Sequence, residues 1–99
     1  MVKAGRLADL PPGQVTEVLV GQHPYAVCNV DGNIYALDGV CLHEGGPLGQ
    51  GQLEGARVVC PYHLWEFDCR TGEYDQDHTC RVATYPAHVE NGEIVIEVP

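Results

Sequence analysis

The chain contains no serine, one tryptophan, one phenylalanine, one methionine and only 5 lysines and arginines among its 99 residues. Each scarcity excludes something. Without serine there is no serine nucleophile. With 14 acidic residues against those 5 basic ones, the net charge of −9 excludes the phosphate contacts that nucleic-acid binding requires. The same charge favours solubility and a partner with a basic docking face. Glycine-rich phosphate loops of the Walker or dinucleotide type are also missing. The strongly apolar runs, such as Val18-Leu19-Val20, are far too short to span a bilayer. The start, Met1 to Asp9, has basic residues but no apolar core after them. A cytoplasmic protein, away from membranes, is the expectation.

No repeat, low-complexity tract or linker divides the sequence, so residues 1–99 are expected to form one small domain. The five cysteines are an odd number, which argues against a disulfide framework. An apolar fraction of 44% suffices for a folded core. At this size, however, a metal site can contribute much of the stability.

The pattern is of short strands punctuated by Gly, Pro, Asp and Asn. Strands are expected near residues 3–7, 15–20, 25–30, 34–37, 57–59, 65–68, 82–89 and 93–98. Asp31-Gly32-Asn33 and Asn91-Gly92 are hairpin turns. No stretch keeps a 3.6-residue period. The fold class is therefore all-β, with two ligand-bearing loops side by side at one end. Six glycines at 39, 45, 46, 49, 51 and 55 mark the first of those loops.

Two motifs carry the chemistry. Cys41-Leu42-His43 and Cys60-Pro61-Tyr62-His63 are separated by sixteen residues. Each supplies one thiolate and one imidazole. Thiolates suit iron–sulfur centres, and imidazole is a good iron ligand. Two of each is the ligand set of a Rieske-type [2Fe–2S] cluster, with cysteines on one iron and histidines on the other. Glycines beside Cys41 would let backbone N–H groups approach the sulfurs. A tetrahedral Cys₂His₂ zinc site uses the same count of ligands. Zinc fingers, though, usually pair Cys with Cys and His with His, whereas each motif here mixes the two.

The motifs, their spacing and the tail Phe67-Asp68-Cys69-Arg70-Thr71-Gly72-Glu73 resemble small Rieske-type ferredoxins of bacterial multicomponent oxygenases. Tyr85-Pro86 is also similar to that family. The resemblance implies three small antiparallel sheets, with a cluster-binding subdomain over about residues 40–68. It implies one [2Fe–2S] cluster with Cys41 and Cys60 on the buried iron and His43 and His63 on the outer one. It further implies a soluble monomeric one-electron carrier, not itself an enzyme. Such a carrier takes electrons from a flavin-dependent reductase to a terminal oxygenase of aromatic hydrocarbon catabolism. That oxygenase would be a Rieske dioxygenase or a di-iron monooxygenase.

Departures from the respiratory Rieske pattern matter. Gly46 and Tyr62 stand where that branch has an extra cysteine pair, joined as a disulfide. Trp65 and Phe67 stand where it has a serine and a tyrosine that donate towards the cluster. Fewer donors imply a potential at the low end of the Rieske range. Leu64 replaces the glycine that many dioxygenase ferredoxins carry after the second histidine. His63-Leu64-Trp65-Glu66-Phe67 is similar to ferredoxins of the toluene-monooxygenase type.

Remaining residues have plain expectations. Trp65 is expected as half-buried packing, with partner docking as the other reading. Pro47 and Leu48 are expected to shield the cluster. Glu66, Asp68, Glu73, Asp75 and Asp77 read as a solvated face or as a partner-steering patch. Cys28 is a small buried hydrophobe, and Cys69 and Cys80 are thiols. His23 and His88 are surface residues, and His78-Thr79-Cys80 is no second metal site. Two other functions use the same four ligands: a zinc-stapled interaction module and a cluster-based redox regulator.

Overall fold

The computed structural model describes residues 1–42, 45–62 and 64–99. Among these it contains twelve short strands and two single turns of 3₁₀ helix, arranged as three antiparallel sheets. The all-β expectation and the three-sheet architecture both hold.

The first sheet joins the ends of the chain. β1 (Val2–Arg6) pairs with β12 (Glu93–Ile96), which pairs with β11 (Ala87–Glu90). Asn91-Gly92 closes the β11–β12 hairpin with φ of 50° and 77°. Both residues take left-handed backbone, as a tight primed turn requires.

The second sheet has the order β10-β4-β3-β2. β2 (Gln14–Val20), β3 (His23–Val30) and β4 (Asn33–Asp38) form a meander. β10 (Thr84–Tyr85) adds to the β4 edge through Thr84↔Leu37 and Tyr85↔Ala36. The run 82–89 is therefore not one strand. The chain changes sheets at Pro86, which cannot donate a ladder hydrogen bond. Its carbonyl accepts from Glu97 N–H at 2.9 Å.

The third sheet has the order β5-β6-β7-β8-β9. β6 (Arg57–Val59) and β7 (Glu66–Asp68) flank the second motif. β5 (Gln52–Glu54), β8 (Glu73–Tyr74) and β9 (Asp77–Arg81) were not anticipated from sequence.

β3 is central and buried on both faces, and its alternation divides the interior in two. Tyr25 and Val27 point into a core with Leu10, Ala36, Ile94 and Ile96, beneath the first sheet. Ala26 and Cys28 point into the other, with Leu37, Cys41, Leu48, Val58, Cys60, Phe67, Cys69 and Val82. The second core therefore carries both ligand-motif cysteines. Asn29 is the buried polar residue of β3. Its side chain donates to Leu10 O at 2.8 Å and accepts from Gly32 N–H at 2.8 Å, so it is satisfied at both ends.

Candidate metal centre

The first ligand loop leaves β4 and returns to β5. Its base is fixed on β3: Gly39 N–H donates to Pro24 O at 3.0 Å. A side chain at Gly39 would lie 2.8 Å from that same carbonyl carbon and oxygen, so only glycine allows this approach. Above the base the loop closes on itself. Val40 bridges Pro47, Cys41 N–H donates to Gly46 O at 2.8 Å, and Gly45 N–H donates to Cys41 O at 3.2 Å. Leu48 N–H then returns to Gly39 O at 2.9 Å. Leu48 lies fully buried under the loop, in the same core as Cys41 and Cys60.

The second loop is a tight excursion between β6 and β7. Val59↔Glu66 is its last ladder pair, and Cys60 N–H donates to Trp65 O at 2.7 Å to close it. Inside it, Tyr62 N–H points at Cys60 Sγ from 3.4 Å. Gly45 N–H goes to the Cys41 carbonyl, and the N–H···S bond to Cys60 comes from Tyr62, a backbone donor beside a sulfur of the kind expected around the glycine-rich loop.

The two loops touch. A β-carbon placed on Gly46 would sit 2.6 Å from Cys60 Sγ and 3.0 Å from Tyr62 Cγ. Gly46 and Tyr62, the positions of the absent disulfide, thus face one another. Cys41 and Cys60 lie below this contact, 2% and 0% exposed, against Leu48, Val58 and Phe67. Two soft sulfur donors from separate loops are therefore brought into one apolar, water-poor layer. That arrangement fits a thiolate-bound iron–sulfur group. His43 and His63 lie outside the described residues, and Glu44 with them. Among the described residues no group of three or more metal-binding side chains gathers elsewhere.

Around the loops the surface is apolar. Leu42, Tyr62 and Leu64 are 54%, 49% and 70% exposed. Leu64 also has φ of 58°, a left-handed backbone that costs an L-residue roughly 1–2 kcal/mol relative to glycine. Sequence reasoning noted the substitution at this position but not the strain. Trp65 is half-buried and stacks on Tyr74, ring centroids 3.9 Å apart and planes 8° from parallel. It packs against the cluster-side core, in line with the packing expectation.

The acidic stretch is largely paired. Arg57 reaches Glu66 at 3.3 Å and Asp75 at 3.1 Å, and Arg70 reaches Asp68 at 3.2 Å. Burial pushes the Asp68 carboxyl up. Hydrogen bonds from the Arg70 side chain and backbone, with charge attraction, outweigh burial and hold it below the usual carboxylate range. Asp77 is likewise lowered, chiefly by the Thr79 hydroxyl at 2.6 Å and the Thr79 N–H at 3.0 Å. His23 pairs with Asp38 and His88 with Glu90 near the surface.

Cys28 and Cys69 were read separately from sequence, yet their side chains meet. Contact with the Cys69 thiol, and then burial, push the Cys28 thiol far up. No sequence spacing signals this pair, since Cys28 lies on β3 and Cys69 in the turn after β7.

The fold, the paired loops and the buried sulfurs define a small iron–sulfur protein of the all-β kind. Residues 1–86 match the Rieske [2Fe–2S] domain family. The chain is 35% identical to the ferredoxin component of the naphthalene 1,2-dioxygenase/salicylate 5-hydroxylase systems of a Ralstonia species. That match covers 98% of this chain and 94% of the relative. Its fold superposes on the ferredoxin of Sphingomonas yanoikuyae B1 with a TM-score of 0.86, at 30% identity, covering 99% and 98% of the two chains. It also superposes on a chain from the complex of reduced oxygenase and oxidised ferredoxin in carbazole 1,9a-dioxygenase. There the TM-score is 0.86, the identity 29%, and the coverage 97% and 100%. The chain belongs to the Rieske [2Fe–2S] domain family, and its cofactor is a Rieske-type [2Fe–2S] cluster. Its full-length relatives are ferredoxin components of oxygenase systems, which are electron-transfer subunits and not the catalytic ones.

Proposed function

We propose that this chain is a one-electron carrier between a flavin-dependent reductase and a terminal oxygenase acting on aromatic substrates. Cys41, His43, Cys60 and His63 hold its cluster, and residues 40–68 of the single domain form the cluster-binding part. We place it in the cytoplasm as a monomer; no helix among the described residues is long and apolar enough to cross a membrane. One observation carries the ligand assignment. Cys41 and Cys60 come from separate loops that meet at Gly46 and are buried in the same apolar layer.

When bound, the cluster accepts and releases one electron. The chain's own residues set the conditions for that exchange. Leu48, Val58 and Phe67 keep water from the sulfurs. Tyr62 N–H donates towards the Cys60 sulfur, which stabilises added negative charge there. Trp65 and Phe67 bring no hydroxyl to this layer, which supports a potential low in the Rieske range of roughly −150 to +300 mV. The exposed loop ends leave the outer face open to a partner.

Iron and acid-labile sulfide analysis with EPR of the reduced protein tests this. The expected result is two irons and two sulfides per chain, and a rhombic signal of low average g. His43→Ala and His63→Ala should each lose that signal. Colourless protein carrying stoichiometric zinc, or a histidine variant with the full parent spectrum, would refute the assignment.

A further inference from the structure

Besides Cys41 and Cys60, the same core holds two more cysteines, Cys28 and Cys69, 0% and 1% exposed. Both are free thiols, and their side chains meet. Cys28 lies on β3, opposite Tyr35 of β4. Cys69 lies in the turn after β7, fixed by its N–H to Ala56 O at 2.9 Å. The pair therefore joins the sheet from which the first ligand loop springs to the sheet that holds the second. In sequence the two cysteines bracket both motifs, so a bond between them closes a ring around Cys41 to His63.

Burial alone would leave such a pair inert. A cleft changes that for one member. It has a volume of about 460 Å³, and Cys69 forms part of its wall with Tyr35, Arg70, Thr84 and Tyr85. Cys28 does not reach that wall. Arg70 places a cation there, and its guanidinium attracts negative charge on the Cys69 sulfur. Contact with Cys69, and then burial, keep the proton on Cys28. One sulfur is thus open to a small oxidant, and its protonated neighbour stands ready to resolve the product.

We propose that Cys28 and Cys69 form a reversible oxidation site, at which one molecule of hydrogen peroxide converts the two thiols to a disulfide. In the first step the Cys69 sulfur attacks the peroxide. An S–O bond forms, the O–O bond breaks, and the Cys69 proton leaves with the departing hydroxide as water. In the second step the Cys28 sulfur attacks the Cys69 sulfenic acid. The S–S bond forms, the S–O bond breaks, and the Cys28 proton leaves in a second water. The two sulfurs supply the two electrons that reduce the peroxide, and a thiol reductant reverses the change. The bond staples β3 to the turn after β7 and holds the ligand loops together while oxidant is present. Dioxygen that takes electrons from a one-electron carrier yields peroxide, so the occasion for the site rests on the carrier reading. Its chemistry does not.

The test treats the holoprotein with a few equivalents of hydrogen peroxide. The cluster is followed by visible absorption and EPR, and the cysteines by mass spectrometry of unreduced digests. The expected product is a peptide pair joined through Cys28 and Cys69, formed while the cluster signal persists. Dithiothreitol should restore both thiols. The oxidised holoprotein should have a Tm roughly 10 °C higher. It should release iron to a chelator about fivefold more slowly. Cys28→Ala should leave a sulfenic acid on Cys69 that dimedone traps, and Cys69→Ala should leave Cys28 unmodified. Cys80→Ala, which removes the half-buried thiol of β9, should give the parent cross-link. Where a core variant fails to take up its cluster, the map of the parent protein decides alone. Cys28 and Cys69 still free when Cys80 is oxidised would overturn the proposal. So would a cross-link that appears only after the cluster signal has gone, because it would belong to the opened chain. Neither result touches the carrier reading, which is lost only if the parent holoprotein reduces no oxygenase.

Discussion

Gly46 is the residue on which the two ligand loops lean. Its missing side chain leaves room for Cys60 Sγ and the Tyr62 ring, and the fully buried Cys60 cannot retreat easily from a packed layer. Adding one methyl there forces overpacking, with an expected cost of about 1–3 kcal/mol. Gly46→Ala should therefore lower the Tm and the iron content of the purified protein together. Thermal unfolding and iron quantitation on the same preparation check this, and parental values for both would contradict the packing. The cysteines divide by the same logic. Cys41 and Cys60 are covered by loops, whereas Cys28 and Cys69 are buried against one another in the core, where contact with Cys69 and burial push the Cys28 thiol up.

Among the elements, the turn after β7 is held by one carboxylate. Asp68 accepts from Arg70 N–H at 2.8 Å and from the Arg70 guanidinium, while its carbonyl accepts Gly72 N–H at 2.7 Å. Because the folded pKa of Asp68 lies below its unfolded value of about 3.9, its ionised form favours the folded state. That stability is present above about pH 3.9 and fades as pH falls through the lower folded value. Asp68→Asn should thus destabilise the chain by about 1 kcal/mol at pH 7. The deficit should hold from pH 7 to about pH 4 and shrink as pH falls further, through the lower folded pKa. Denaturant unfolding of parent and variant across that range measures it; a deficit independent of pH would show that the ion pair contributes nothing.

The turns and the strands rich in β-branched residues were legible because their residue types dictate backbone. Asp31-Gly32 and Asn91-Gly92 both take left-handed pairs of φ. β5 was hidden because Gln52-Leu53-Glu54 has a single apolar residue between glycines. β9 was hidden because Asp77 to Arg81 is polar and lies at a sheet edge, where burial imposes no pattern. The break at Pro86 was visible, but only tertiary pairing shows that the strand halves join different sheets. At the site, the convergence of the two motif cysteines, Cys41 and Cys60, was legible from their Cys/His pattern and spacing. The N–H···S donor and the strained Leu64 were not, since both depend on loop backbone that residue identity does not encode.

At the scale of the whole molecule, charge is the governing property. Three of the five basic residues, Arg57, Arg70 and Arg81, are engaged by the acidic stretch from 66 to 75. That stretch is therefore a braced face and not a bare patch. The excess of negative charge still acts at long range on an approaching protein. Electron transfer from a partner with a basic face should slow roughly tenfold between low salt and about 0.5 M NaCl, through the association rate. Stopped-flow measurements across that series test it, and a flat rate would remove electrostatic steering.

β3 has a consequence for how the chain avoids error. Its odd-numbered apolar residues, Tyr25 and Val27, fit one interior, and its even-numbered ones, Ala26 and Cys28, fit the other. Sliding the strand by a single residue would exchange the two sets. A tyrosine and a valine would then press into the space shaped for an alanine and a thiol, next to the ligand cysteines. No neighbouring register can satisfy either side. The strand works like a key cut on both edges, which turns only when seated at one depth.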